Sequence, residues 1–226
     1  MRKIATILLG MILTAAMCPA QISLFPHFVD FEDEFQCPVG CIPVCNLQGP
    51  WENVSGDDFD WTSDKGGTGT GGTGPATDHT FGSKTGHYLY IESSCNNLGY
   101  PSKRVDLQSG YYDFTNITGA QLKLSAWYHM YGANMGDLHF DVDTTQGQGN
   151  WINNFVPLWT DNLNQWQRKE IDLSALIGID SVKFRIRCVT GNLYRSDMAL
   201  DDIMVYEPSV VDVGVTDILI NPLQWT

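Results

Sequence analysis

The chain has 226 residues, 43% of them apolar and 12% aromatic, enough for a sizeable core and unlike a disordered polymer. Acids outnumber bases 26 to 13, and the resulting net charge of −13 disfavours nucleic acid and anionic membranes as partners while suiting divalent cations. Only 17% of residues are charged and 22 are glycine, a profile that points to a β-rich protein with many turns.

The first segment, MRKIATILLGMILTAAMCPAQ, has a basic start (Arg2, Lys3), an apolar run from Ile4 to Met17, and then small residues. It is too short to span a bilayer and predicts a signal peptide over 1–20, cleaved near Ala20–Gln21. Its loss takes the net charge to −15. Lipidation at Cys18 is the alternative, against which Met17 is bulky where a lipobox needs a small residue. Removal of Cys18 leaves Cys37, Cys41, Cys45, Cys95 and Cys188. Export implies an oxidising compartment, so these are disulfide candidates with one thiol left over. CPVGCIPVC has three-residue gaps filled with proline rather than the C-x2-C of zinc sites, and connectivity is not readable.

Period-two alternation predicts strands at 87–93, 121–131, 137–143, 181–189 and 198–207, separated by turn-rich pieces. The helix-like LSALIGI, 173–179, is too short for more than a turn. Many short strands without intervening helices predict an all-β fold, an antiparallel jelly-roll β-sandwich, with domain edges near Phe28 and Glu207. The glycine-rich stretch Asp64–Gly86 lacks the G-x4-G-K-[ST] spacing of a phosphate loop and is expected to be a long surface loop. Residues 208–226 begin a new apolar alternation and then stop, which reads as a linker and the truncated start of a following β-sandwich module.

Nucleophilic motifs such as G-x-S-x-G and H-E-x-x-H are absent. Carboxylates are numerous enough that a glycosidase pair meeting only in space stays open. In SAWYHMYGANMGDLHF, 125–140, a hairpin turning at Gly132–Gly136 would set His129 opposite His139, a possible two-histidine metal site. The structural reading is preferred: Ala126, Tyr128 and Met130 line one face of a sheet, Trp127, His129 and Tyr131 the other. Trp61, Trp127, His129 and Tyr131 are therefore assigned to the structural core.

Two acidic clusters carry more chemistry. FVDFEDEF lies at the first strand and MALDDIMV at the last. Pairing of those strands would bring Glu32 and Asp33 to Asp201 and Asp202, with SGDDFDW supplying a further oxygen. Converging carboxylates repel unless a cation sits between them, and calcium takes about six to eight hard oxygens. Such an ion would fasten the two ends of the domain.

Together these pieces resemble the MAM domain of secreted and cell-surface, membrane-associated proteins. The matching residues run in order: Phe31–Glu32, Asp57–Thr62, the TGTGGTGPATDHT loop leading to Gly86–Ser94, Leu124–Leu138, Leu158–Trp159, Gln165–Leu173 and Ser196–Ile203. Trp-Tyr-His-Met-Tyr-Gly followed by Met-Gly is the most specific of them. The resemblance, taken with the leader to a form found in secreted bacterial proteins, implies a jelly roll that acts without catalysis in adhesion or oligomerisation. It also implies a structural calcium, carried by Glu32 and Asp201 first, then Asp58, Asp33 and Asp202. CPVGCIPVCNLQGPW enlarges one connection, so the family's disulfide pattern is not transferred. The expected protein is a secreted or cell-surface module for an extracellular protein or glycan, joined to further modules. Its first rival is a carbohydrate-binding jelly roll presenting Trp151, Trp159 and Trp166 in a planar row; the second is a hydrolase.

Overall fold

The computed structural model describes residues 21–38, 40, 41 and 44–208. The expected leader (1–20), lipidation at Cys18, and all but Pro208 of the expected following module lie outside them. Ten strands follow one another: β1 (His27–Val29), β2 (Trp51–Asn53), β3 (Thr62–Lys65), β4 (His87–Tyr90), β5 (Arg104–Ser109), β6 (Lys123–Met130), β7 (Asp137–Asp143), β8 (Leu163–Asp172), β9 (Lys183–Val189) and β10 (Met198–Tyr206). LSALIGI contains only a 3-10 turn, Ser174–Leu176.

The strands form two antiparallel sheets, β3-β4-β10-β6-β8 with β1 also paired to β10, and β2-β5-β9-β7. This is the expected all-β sandwich. The period-two pattern explains its core. Ala126, Tyr128 and Met130 of β6 face Leu138, Phe140 and Val142 of β7 and Phe184, Ile186 and Cys188 of β9 in one buried cluster that also holds Trp61 and Trp159. First and last strands pair as expected, with His27 opposite Val205 and Val29 opposite Ile203.

The expected hairpin at Gly132–Gly136 is not formed. β6 pairs with β10 and β8, whereas β7 pairs with β9 in the other sheet, so His129 stands opposite Ala199 and His139 opposite Arg187. The two histidines face outward from opposite layers and form no shared site. The reason is that both strands have an apolar face, and these bury best against each other across the sandwich rather than side by side. Gly132 serves close approach: a Cβ there would stand 2.3 Å from Arg195 O, and the Asn162 side chain brackets its N–H and C=O at 3.0 and 2.9 Å.

Nor is the glycine-rich stretch a free surface loop. It lies against the outer face of the larger sheet, burying Thr73 and Asp78. Beneath it sits an aromatic layer in which His79 stacks on Trp127 at 3.7 Å and Trp166 meets Tyr88 at 5.8 Å and His129 at 5.6 Å. Of the four residues assigned to the core, Trp61 is in the sandwich, whereas His129 is buried in this outer layer and Trp127 and Tyr131 are half-buried there. Burial pushes His129 down to about pH 4, so its imidazole is neutral.

Cys37 pairs with Cys45 and Cys41 with Cys95, which leaves Cys188 buried as a free thiol whose pKa burial raises. Cys188 is expected to be inert to a thiol reagent in the folded chain and to react only on unfolding; prompt labelling of the native protein at Cys188, located by mass spectrometry, would contradict this packing.

Candidate metal centre

The site is built on β10. An ordinary strand sends successive side chains to opposite faces, but the β10–β6 register shifts between Asp201 and Met204, and Asp202 has a φ of 45°. That bulge turns both Asp201 and Asp202 to the same segment of the glycine-rich loop. Asp201 Oδ2 accepts the His79 N–H at 2.8 Å, and Asp201 Oδ1 accepts the N–H of Asp202 at 2.9 Å. Asp202 accepts the Thr80 hydroxyl at 2.9 Å and a short contact from His79 Nδ1. Stacking on Trp127 fixes the ring of that histidine.

A second pair of acids closes from the other side. Asp78, fully buried, accepts the N–H groups of Phe81 and Ser83, each at 2.7 Å. Glu32, delivered by the turn after β1, accepts the His87 N–H at 3.1 and 3.2 Å. Gly86 lies between them: a Cβ there would stand 2.3 Å from Asp78 Oδ2 and 2.8 Å from Glu32 Oε1. Gly86→Ala is therefore expected to push the two carboxylates apart and cost about 1–3 kcal/mol in chemical denaturation, with weaker calcium stabilisation; unchanged stability would show that the cleft is looser than drawn.

The electrostatics are one-sided. Burial, with the Asp202 charge adding to it, pushes Asp201 up to about 8. Burial also raises Glu32, against the His87 N–H, and the charges of Asp78, Asp30 and Asp202 raise it further. Among the described residues no lysine or arginine pairs with Glu32, Asp78, Asp201 or Asp202; the cationic candidates are His79 and His87. Four carboxylates and a threonine hydroxyl offer only hard oxygens, which fits calcium in kind. No three His, Cys, Asp or Glu side chains among the described residues already stand at metal-holding distance, so an ion would draw these carboxylates inward.

Of the five residues expected to ligate, Glu32, Asp201 and Asp202 are brought to this cleft. Asp33 is exposed on the rim of a separate depression beside Phe28 and Gln48. Asp58 lies in the turn between β2 and β3 and is held against the start of β5, accepting Arg104 N–H at 2.7 Å and Lys103 Nζ at 3.3 Å. Asp78 and His79 were missed as partners; the acid and histidine closing the glycine run were the available signal. Nor do the three tryptophans form a planar row: Trp159 is buried, Trp166 donates to Thr77 O at 2.9 Å, and Trp151 lies under the Arg185 guanidinium at 4.3 Å.

A family model for the MAM domain, meprin/A5/mu, matches residues 29–209. MAM domain-containing glycosylphosphatidylinositol anchor protein 2 of Mus musculus is 31% identical over 160 residues, 67% of this chain and 16% of that protein. Neuropilin-1a of Danio rerio is 28% identical over 219 residues, 93% of this chain and 21% of that protein. The chain thus spans about a fifth or less of these relatives, and their animal origin lends no support to a specifically bacterial form. Among solved structures, the K1 cleaved adhesin domain of Lys-gingipain from Porphyromonas gingivalis superposes with a TM-score of 0.49 at 12% identity, covering 81% of this chain and 98% of that one. The CBM22-2 xylan-binding domain from Paenibacillus barcinonensis gives 0.44 at 13% identity, covering 80% and 99%. With the family model matched over nearly all the described residues, the chain belongs to the MAM domain family.

Proposed function

We propose that this chain is a non-catalytic extracellular interaction module, exported through its 1–20 leader and secreted or held at the cell surface. The observation that carries the reading is membership of the MAM family over 29–209. Two disulfides support an oxidising compartment. The module proper is residues 28–207. Its partner is an extracellular protein. No helix among the described residues is long and apolar enough to cross a membrane.

The same proposal gives calcium a structural role, held by Glu32, Asp78, Asp201 and Asp202. Bound there, the ion supplies the positive charge that these buried carboxylates lack. The protein's own part is to hold the ligands: the bulge sets the aspartate pair, and the His87 N–H orients Glu32.

The test clusters the full chain on beads and presents it to an extracellular-receptor array and a glycan array. Saturable binding to a receptor, with no turnover of glycoside or peptide substrates, is expected. Binding only to glycans would replace the proposal with a carbohydrate-binding module, and turnover would overturn it.

A further inference from the structure

A third pair of acids, Glu92 and Asp197, lies under another part of the glycine-rich loop. The Ile91 N–H bonds Met198 O at 3.0 Å, which sets Glu92 and Ser93 beside Asp197 at the entry to β10. Asp197 is fully buried. Its Oδ1 accepts the Ser93 N–H at 3.0 Å and the Ser93 hydroxyl at 2.8 Å, while its buried Oδ2 receives no hydrogen bond of good geometry. Glu92 repeats the arrangement one step along. Its Oε1 accepts the Ser94 N–H at 2.9 Å and the Ser94 hydroxyl, and its Oε2 lies toward Gly69, 3.7 Å from where a Cβ would stand. One oxygen of each carboxylate is thus pinned and the other left over.

The surroundings offer oxygen and almost no positive charge. The single hydrogen of the Thr68 hydroxyl has two acceptors in reach, Thr73 O at 3.0 Å and Asp197, whose pKa a bond from Thr68 lowers; with the hydrogen on Thr73 O, its lone pairs are free for a cation. Thr73 is itself fixed by the Asp197 N–H at 2.9 Å. Arg195, the nearby base, lies over the Tyr194 ring at 5.4 Å and pairs with no carboxylate among the described residues. Its guanidinium sits beneath Gly72 instead, and its Nε is also unpartnered. Burial, with the Glu92 charge next, raises Asp197 to about 7. A buried carboxylate oxygen without a donor is costly, and a hard cation is the partner that would satisfy it together with Glu92 and a hydroxyl.

We propose that Asp197 and Glu92, with the Thr68 hydroxyl, form a second calcium site beneath the glycine-rich loop, separate from the Glu32–Asp202 centre. The glycines let main-chain carbonyls approach to complete the oxygen shell. A proton on Asp197 is the competing occupant.

The experiment counts calcium bound to the full chain by equilibrium dialysis after EDTA stripping, with folding followed by near-ultraviolet circular dichroism. Two ions per chain are expected. Asp197→Asn and Glu92→Gln should each remove one ion, or weaken it at least tenfold, and leave the ion that Glu32→Gln removes. Calcium lost in Glu32→Gln but unchanged in Asp197→Asn and Glu92→Gln overturns this site and spares the first. The reverse spares this site and overturns the first, and no bound calcium overturns both. Should Asp197→Asn fail to fold, Glu92→Gln decides alone, because Glu92 is 8% exposed at the rim and its amide keeps the Ser94 contacts.

Discussion

Without calcium the chain is expected to lose stability as pH rises from 7 to 8, and with saturating calcium to lose much less. Asp201, raised to about 8, keeps in the folded state a proton that the unfolded chain has released above its ordinary 3.8. Folding then binds a proton, so stability falls as pH climbs toward the folded value, by about 1 kcal/mol over this window. His27 and His129 act in the opposite sense, because burial keeps their imidazoles neutral when folded. Their contribution ends near the ordinary histidine value of 6.5, below the window. An ion that binds the ionised acids removes the cost. At a hundred times its dissociation constant it stabilises by about 2.7 kcal/mol, roughly 5–10 °C in melting temperature for a domain of this size. Asp201→Asn in EDTA should flatten the slope. Melting curves that respond to neither calcium nor pH between 7 and 8 would remove the structural-ion reading.

The second large effect belongs to the disulfides. Cys41 and Cys95 are 54 residues apart, Cys37 and Cys45 only 8. Loop-closure entropy assigns about 4 kcal/mol to the longer link and about 2.5 kcal/mol to the shorter. Paired serine replacement at 41 and 95 should therefore lower the urea midpoint more than replacement at 37 and 45. The longer link also ties the proline-rich segment to the turn after Glu92, so its loss should loosen the Asp197 pocket. Equal losses would show that the unfolded chain is already compact around these segments.

Strands were legible wherever one face is apolar and the other polar. β7 appears with the limits expected of it, and β6, β9 and β10 within two residues of theirs. β8 was not, because LNQWQRKEID is polar on most positions of an edge strand and buries only Ile171 fully. Sheet membership was not legible for β6 and β7 either. Alternation tells which side chains share a face and is silent on whether the next strand pairs beside or packs across. At the acids, strand pairing correctly brought Glu32 to β10. Asp58 was expected at the β10 acids because DDFDW is as acidic as they are, and only the fold shows that main-chain N–H groups of β5 claim both Asp57 and Asp58. Asp78 stayed hidden because its partners are 46 residues earlier and more than a hundred later.

The glycine-rich loop is anchored near one end by Thr73 to Asp197 and near the other by His79 and Thr80 to Asp201 and Asp202. It works as a strap drawn across the larger sheet and buckled twice to a single strand. One face of that sheet is sunk in the core and part of the other lies under the strap, which leaves the outer face open only away from it, as at Arg168 and Glu170 of β8. Anything that unfastens a buckle would uncover an aromatic surface normally kept dry.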